Sequence, residues 1–445
     1  MKHFHKAITL IALTALCFSS SAKGKLVAGP MQGATTPFSM KIWVMVKNAD
    51  SVTLTLIDSA TSTRAASETL ATAAIESFKG QVPLTFSFDG LSENTAYFYE
   101  IAMDGKIIKG EHALRTGESA PNEFSFLLFS CALTPPFGLR WLHPGIENRT
   151  YKYLAEKKSD FTVWMGDYLY YMRKDFSSKK GMLRKQTRNR KLNKVHRFLL
   201  TQPQYSIWDD HDYGPNNKGS NFALRDESLH VFKEFWPNPY YGTAETKGVF
   251  FDFTYGDAQF FLLDSRFHMT PATAPDAAYL GKEQLEWLKQ KLLESKAAFK
   301  FIVSGSQVLN VVTKHECFCK YKELDELLTF IDEHHIQGVL FFSGDRHHSD
   351  LIKMERANNY TLYDFTCSPV TSFRNRLKHH PEELHNPNRV EGKLVPFQNF
   401  GRVTISGKGA QKICTLETFN KRGKPVWSYE IKSADLFHLR LPDTD

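Results

Sequence analysis

The stretch YSIWDDHDYGPNN, Tyr205 to Asn217, ends an apolar run in Asp209, Asp210, His211 and Asp212, then turns through Gly214-Pro215 into Asn216 and Asn217. Three carboxylates so close together repel one another, and holding them costs free energy unless cations or protons neutralise them. Such a cluster is either splayed into water on a turn or arranged around something positive. Elsewhere the chain offers Cys131, Asp167 with Tyr170, and Asp345 with His347, each just after an apolar run. Carboxylate, amide and imidazole donors in such positions suit a cluster of metal ions. Two or more cations together hold a phosphate, generate a hydroxide at moderate pH and neutralise a leaving oxygen.

These groups must be carried to one place by the elements before them. Six apolar, β-rich runs end in a polar or reactive residue: FSFLLFSC at Cys131, DFTVWMGD at Asp167, YSIWDD at Asp209-Asp210, AQFFLLDSR at Asp264, FKFIVSGSQ at Gln307 and GVLFFSGDRHH at Asp345. Helix-like stretches such as KEQLEWLKQKLLESKA and YKELDELLTFIDEHH lie between several of them. Near-continuous apolar strands alternating with helices imply parallel pairing in an α/β layer structure. In such sheets the strand C-termini share one edge, where ligands bind. The closing segments FGRVTISGKG, KICTLETFN and PVWSYEIK read as antiparallel strands completing a second sheet.

The chain has 445 residues, with 42% hydrophobic and 23% charged, enough for two domains and an ordinary globular core. Lys2 and Lys6, the run AITLIALTALCF and Ser20-Ser21-Ala22 follow the order of a secretory signal, so residues 1–22 are expected to be removed on export to the periplasm or medium. No later run approaches the ~20 apolar residues of a membrane span. Residues 25–117 are short alternating pieces separated by turn residues, the pattern of a β-sandwich; LSENTAYFYEIAMDGK resembles the corner and late strand of immunoglobulin or fibronectin III domains. GESAPNE, Gly117 to Glu123, reads as a linker. Residues 177–200 carry nine Lys or Arg and no acid. That stretch reads as a solvated helix face or as a surface drawing anionic substrates, and no specific nucleic-acid partner is expected. Five cysteines follow the signal, an odd number that leaves a thiol for other work. Cys317-x-Cys319 lacks a second pair at zinc spacing.

GDYLY (Gly166 to Tyr170), a D/N-H-D/E element and GDRH (Gly344 to His347) follow the motif order of calcineurin-like metallophosphoesterases. More closely, SC, GDYLY, WDDHDYGPNN and SGDRHHS resemble the alkaline phosphatase D (PhoD-like) family, and the leading β-sandwich is also a feature of that family. The resemblance implies a four-layer core of two β-sheets flanked by helices over residues 122–435, after the immunoglobulin/fibronectin III-like domain. It implies an exported phosphoesterase that cleaves phosphate mono- or diesters by attack of a metal-activated hydroxide. One ferric iron (Fe3+) and calcium (Ca2+) ions are the implied cofactors, with another divalent metal as an alternative. Cys131 and Tyr170 then correspond to iron-binding thiolate and phenolate, Asp167 to a bridging carboxylate, Asp210 and Asn216 to ligands on the calcium side, and Asp345 and His347 to the closing pair. His211 corresponds to the histidine that meets substrate or protonates the leaving group.

Asp209 and Asp212 are open between ligand and orienting roles, and His348 points away from its neighbour His347. Gln307 stands where many calcineurin-like enzymes place a metal-binding histidine. Arg140, Arg266 and Arg374 are candidate phosphate clamps; Arg374 is preferred, and Arg266 is expected to pair with Asp264. A diesterase acting on lipid head groups is the alternative activity, and a non-catalytic surface-binding protein is the remaining reading. The oligomeric state and natural substrate are not legible.

Overall fold

The computed structural model describes residues 23–110, 113–133, 149–357, 359–374 and 377–437. The expected signal segment 1–22 and Arg140 lie outside the described residues.

The alternating N-terminal pieces form two antiparallel sheets. Lys25–Thr35, Met40–Lys47 and Gln81–Phe88 make one; Arg64–Ala71, Ser51–Asp58, Ala96–Met103 and Lys106–Lys109 make the other, with Leu114–Arg115 beside Ala96–Met103. Period-two patterning explains the pairing of faces. Val52, Leu54 and Leu56 turn inward with no exposure and join Ile42, Val44 and Val46 in one core, while Thr53 and Thr55 stay at the outer face. The Tyr97 hydroxyl accepts a bond from the Ser92 amide at 2.9 Å, the upstream corner contact that the LSENTAY segment suggests.

The rest of the chain builds two larger sheets around a second core. Gln204–Ile207, Phe161–Met165 and Phe124–Phe129 run parallel, and Asn399–Ser406, Ile413–Asn420 and Pro425–Lys432 extend them antiparallel. The closing strands thus join the sheet that carries Cys131 and Asp167. In the seven-stranded sheet Ala258–Leu262, Phe299–Val303, Val339–Ser343 and Leu362–Thr366 are parallel; Phe251–Tyr255 and Ser349–Met354 flank them antiparallel, and Arg389–Val395 pairs antiparallel with Ser349–Met354.

Aromatic rings join the two sheets: the Phe126 ring lies 5.0 Å from Phe260, 5.7 Å from Phe301 and 5.9 Å from Phe342. Such offset and edge-on pairs add to the burial of large rings. Helices Lys282–Glu294 and Lys322–Glu333 bury one leucine-rich stripe each, Leu285, Leu288 and Leu292 on the first and Leu324, Leu327 and Ile331 on the second. No described helix is long and apolar enough to cross a membrane.

The basic stretch is less solvated than its composition suggests. Its helix Lys179–Asn189 is capped by Ser178, and Arg190 just after it is fully buried. The Arg190 guanidinium lies 4.1 Å from the Trp236 ring centre, 4.7 Å from Tyr168 and 5.1 Å from Trp43, and donates to the Phe235 carbonyl at 2.5 Å. Trp43 belongs to the N-terminal sheets, so this cation ties them to the larger core. Lys191 reinforces the junction by donating to Gln81 Oε1 at 2.8 Å.

Candidate metal centre

Four strand ends converge. Cys131 follows Phe124–Phe129, Asp167 follows Phe161–Met165, Asp209-Asp210 follow Gln204–Ile207, and Asp345 follows Val339–Ser343. The backbone turns sharply at three of them: φ is +56° at Cys131, +55° at Asp167 and +64° at Asp345, with His347 at +54°. Side-chain-bearing residues rarely hold this conformation, and they do so where surrounding structure fixes it. The glycines in both GD pairs allow the approach. A Cβ on Gly166 would lie 2.5 Å from Asp209 Cβ, and one on Gly344 would lie 2.6 Å from Ser130 Oγ.

Donor atoms of Cys131, Asp167 and His347 lie within 4.8 Å of one another; so do those of Asp167, Asp210 and His211, and those of Asp209, Asp210 and Asp345. Cys131 Sγ is 3.5 Å from Asp167 Oδ2, and Asp167 Oδ1 accepts the His211 amide at 3.2 Å. Tyr170 Oη lies 3.3 Å from His347 Nε2, while its ring stacks on His211 at 4.1 Å. Asp210 Oδ2 accepts the Asn217 amide at 2.8 Å. Asp210 Oδ1, fully buried, has no hydrogen-bond partner. Asn216 and Arg374 line the mouth of the same cavity, about 580 Å³, without being buried.

The electrostatics demand a cation. Burial, reinforced by Asp210, Asp209, Asp212 and Asp345, pushes the Asp167 carboxyl well above the usual carboxylate range. Burial and the neighbouring carboxylates raise the Cys131 thiol, and burial with Asp167 and Cys131 raises the Tyr170 phenol. Asp345 is the exception: burial opposes its ionisation, but Arg346, Arg266, His347 and His211 hold it below the usual range. Burial lowers the His347 imidazole, keeping its ring nitrogen in the neutral form that binds metals. Clustered donors of which Asp167, Cys131 and Tyr170 are reluctant to ionise alone, together with an orphaned buried carboxylate oxygen, fit resident cations.

The two open aspartates separate from their neighbours. Arg266 Nε donates to Asp209 Oδ1 at 2.6 Å, and both side chains are 1% exposed. Asp212 accepts the Asp209 amide at 2.7 Å on one oxygen and the Tyr168 amide at 3.0 Å on the other, bracing the two loops. Burial still raises it, to about 7. The Arg266 guanidinium therefore pairs with Asp209 and, at 2.7 Å, with Glu316, correcting the expected pairing with Asp264. Asp264 instead accepts the Arg266 and Phe267 amides and Trp208 Nε1. Gln307 is likewise a structural hub, donating to Thr366 Oγ1 at 2.8 Å and accepting from Asn310. His348 is fully buried beside Asp350, away from the cavity. Cys317 and Cys319 form a disulfide, and Cys131, Cys367 and Cys414 are free buried thiols.

The motifs do not reveal Glu316, His315 and His380, which line the cavity beside Arg346 of the GDRH run. They stand on loops or short turns with no apolar strand in front of them. Their one readable signal is the clustering of His315 and Glu316 in KHECFCK.

The PhoD-like phosphatase family model matches residues 126–415. No curated protein matches the chain. Among solved structures the chain is similar to that of PhoD, with TM-score 0.71 and 16% identity over 92% of this chain and 91% of that one. It is also similar to purple acid phosphatase PPD1 from yellow lupin (Lupinus luteus) seeds, with TM-score 0.63 and 11% identity over 91% of this chain and 74% of that one. At these identities the likeness is one of fold. The matched span contains every residue gathered at the strand ends, and the chain belongs to the PhoD-like phosphatase family, metal-dependent hydrolases of phosphoric esters with a calcineurin-like phosphoesterase fold.

Proposed function

We propose that this protein is an exported phosphoesterase that hydrolyses phosphate mono- and diesters at the strand-end cluster. The observation that carries the reading is Asp210 Oδ1, buried without a partner where the three donor groups meet. Cys131, Asp167, Tyr170, Asp210, Asn216, Asp345 and His347 would hold the metal ions. A phenolate oxygen suits a hard, highly charged ion such as Fe3+, whose charge the anionic thiolate also offsets, and the carboxylate and amide oxygens suit Ca2+. When bound, the ions neutralise the phosphate and supply a nucleophile at moderate pH.

The chain's own groups do the rest. Arg374 at the mouth engages the non-bridging phosphate oxygens and fixes the ester's orientation. His211, packed against the Tyr170 ring, gives its proton to the departing oxygen as the P–O bond breaks. Asp209 and Asp212 position the loop rather than meet substrate. Lys2, Lys6 and the apolar run after them support export, and boundaries at 25–117 and 122–435 follow the change of strand pattern.

The test is hydrolysis of p-nitrophenyl phosphate and bis-p-nitrophenyl phosphate by purified protein before and after chelation and metal return. Turnover that disappears with the metal and comes back with it is the expected result. A metal-loaded protein inert toward both esters contradicts the reading.

A further inference from the structure

A second concavity of about 730 Å³ opens beside the metal cavity, and Arg374 lines both. Among the described residues its walls are Phe373, Arg374, Phe397, Gln398, Asn420, Lys421 and Arg422: two aromatic rings, three cations, two amides and no acid. Phe373 is 52% and Phe397 37% exposed, unusual for rings in a chain that buries most of its aromatic residues. Among the described residues, Arg374, Lys421 and Arg422 have no carboxylate partner.

The groove is mechanically tied to the metal cluster. The Ser372 amide donates to the Cys131 carbonyl at 3.0 Å, and Gln398 Nε2 donates to the Ser372 carbonyl at 3.0 Å. The Lys421 amide in turn donates to the Gln398 carbonyl at 3.0 Å. One chain of hydrogen bonds thus runs from a metal-donor residue through the segment bearing Phe373 and Arg374 to the turn bearing Lys421 and Arg422. Arg374, which lines both concavities, sets the groove next to the metal cavity.

The lining selects that substituent. Its size lies within the roughly 300–1,000 Å³ of small-molecule sites. Aromatic faces beside cations bind flat π systems and phosphates together, as in sites for single-stranded nucleic acid. An acyl chain needs continuous aliphatic walls, and among the described residues no aliphatic one lines this groove.

Taking the proposed phosphoesterase activity as given, we propose that the groove is its leaving-group subsite and takes a nucleotide. The base lies against Phe373 and Phe397, and a further phosphate meets Lys421 and Arg422. Hydrolysis breaks the P–O bond to the nucleotide, water oxygen bonds to phosphorus, and the proton from His211 ends on the departing nucleotide oxygen.

The test compares metal-loaded wild type with Phe397→Ala and with Lys421→Ala/Arg422→Ala. The substrates are glycerol 2-phosphate, whose leaving group has no ring, dithymidine monophosphate with and without a distal terminal phosphate, and phosphatidylglycerol vesicles. Metal content and melting temperature are matched across the proteins. The expected wild type prefers the dinucleotide with the distal phosphate. Phe397→Ala lowers kcat/KM for both dinucleotides roughly tenfold, the double variant removes the distal-phosphate preference, and glycerol 2-phosphate turnover stays unchanged. Unaltered dinucleotide kinetics, losses confined to vesicles, or equal losses on glycerol 2-phosphate overturn the subsite. Wild type that cleaves glycerol 2-phosphate but neither dinucleotide overturns it too, whereas wild type inert toward every ester overturns the phosphoesterase reading itself.

Discussion

Asp209 and Arg266 form a buried ion pair at 2.6 Å, and this pair separates two adjacent carboxylates into different roles. Asp209 is neutralised by protein, while Asp210, one residue on, keeps a buried oxygen without a hydrogen-bond partner. Arg266→Met leaves Asp209 buried without its counter-charge, and removing one partner of such a pair costs about 3–5 kcal/mol. Denaturant unfolding should show that loss, with Arg266→Lys recovering part of it. Equal stability of wild type and Arg266→Met would show that the pair does not hold the loop.

Asp212 acts through the loops it joins. Asp212→Ala removes the acceptor for the Asp209 and Tyr168 amides. Loss of such an outer support weakens metal affinity by about 10–100-fold. Metal titration followed by protein-bound metal should show the weakening, with turnover recovering at high metal. Asp167→Asn is expected to differ, losing more than ~10²-fold in turnover that added metal does not restore. Identical behaviour of the two variants would remove the distinction.

Arg190 ties the N-terminal sheets to the larger core by stacking on Trp236, Tyr168 and Trp43. Arg190→Ala should cost about 3 kcal/mol, from a desolvated cation–π contact and a charged hydrogen bond. Arg190→Lys should rescue little, because an ammonium cannot spread over three rings. Thermal unfolding of the three proteins checks both statements.

Lys300 supplies a pH dependence remote from the metal cluster. Burial lowers its ammonium from 10.5 to about 8, although it donates to the Ala297 and Gln337 carbonyls. Between pH 8 and 10.5 the unfolded chain binds the extra proton, so this residue makes stability rise with pH, by at most ~1.4 kcal/mol per unit. Below pH 8 both states are protonated and the penalty is fully present. Lys300→Met lacks this slope. The difference in unfolding free energy between variant and wild type should therefore shrink as pH is raised from 8 to 10, and a constant difference contradicts the assignment.

The convergence of Cys131, Asp167, Asp210 and Asp345 is legible in the sequence because each follows a short apolar parallel strand, and parallel strands share a C-terminal edge. Asp264 and Gln307 end strands in the same way yet serve as hydrogen-bond hubs. Strand patterning gives the position of a polar residue but not which neighbouring amides claim it. Arg190 reads as one more charge in a basic run, since its aromatic box is assembled from Trp43, Tyr168 and Trp236, far apart in the chain. Glu316, His315 and His380 reach the cavity through loop geometry, which leaves no period to read.

The central claim is that a thiolate, a phenolate and clustered carboxylates hold resident metal ions that drive ester hydrolysis. Metal analysis of the purified protein with its visible absorption spectrum tests it most directly. The account predicts bound iron and calcium, with a phenolate-to-iron absorption band that Tyr170→Phe abolishes. An active enzyme that is colourless and free of iron would contradict it.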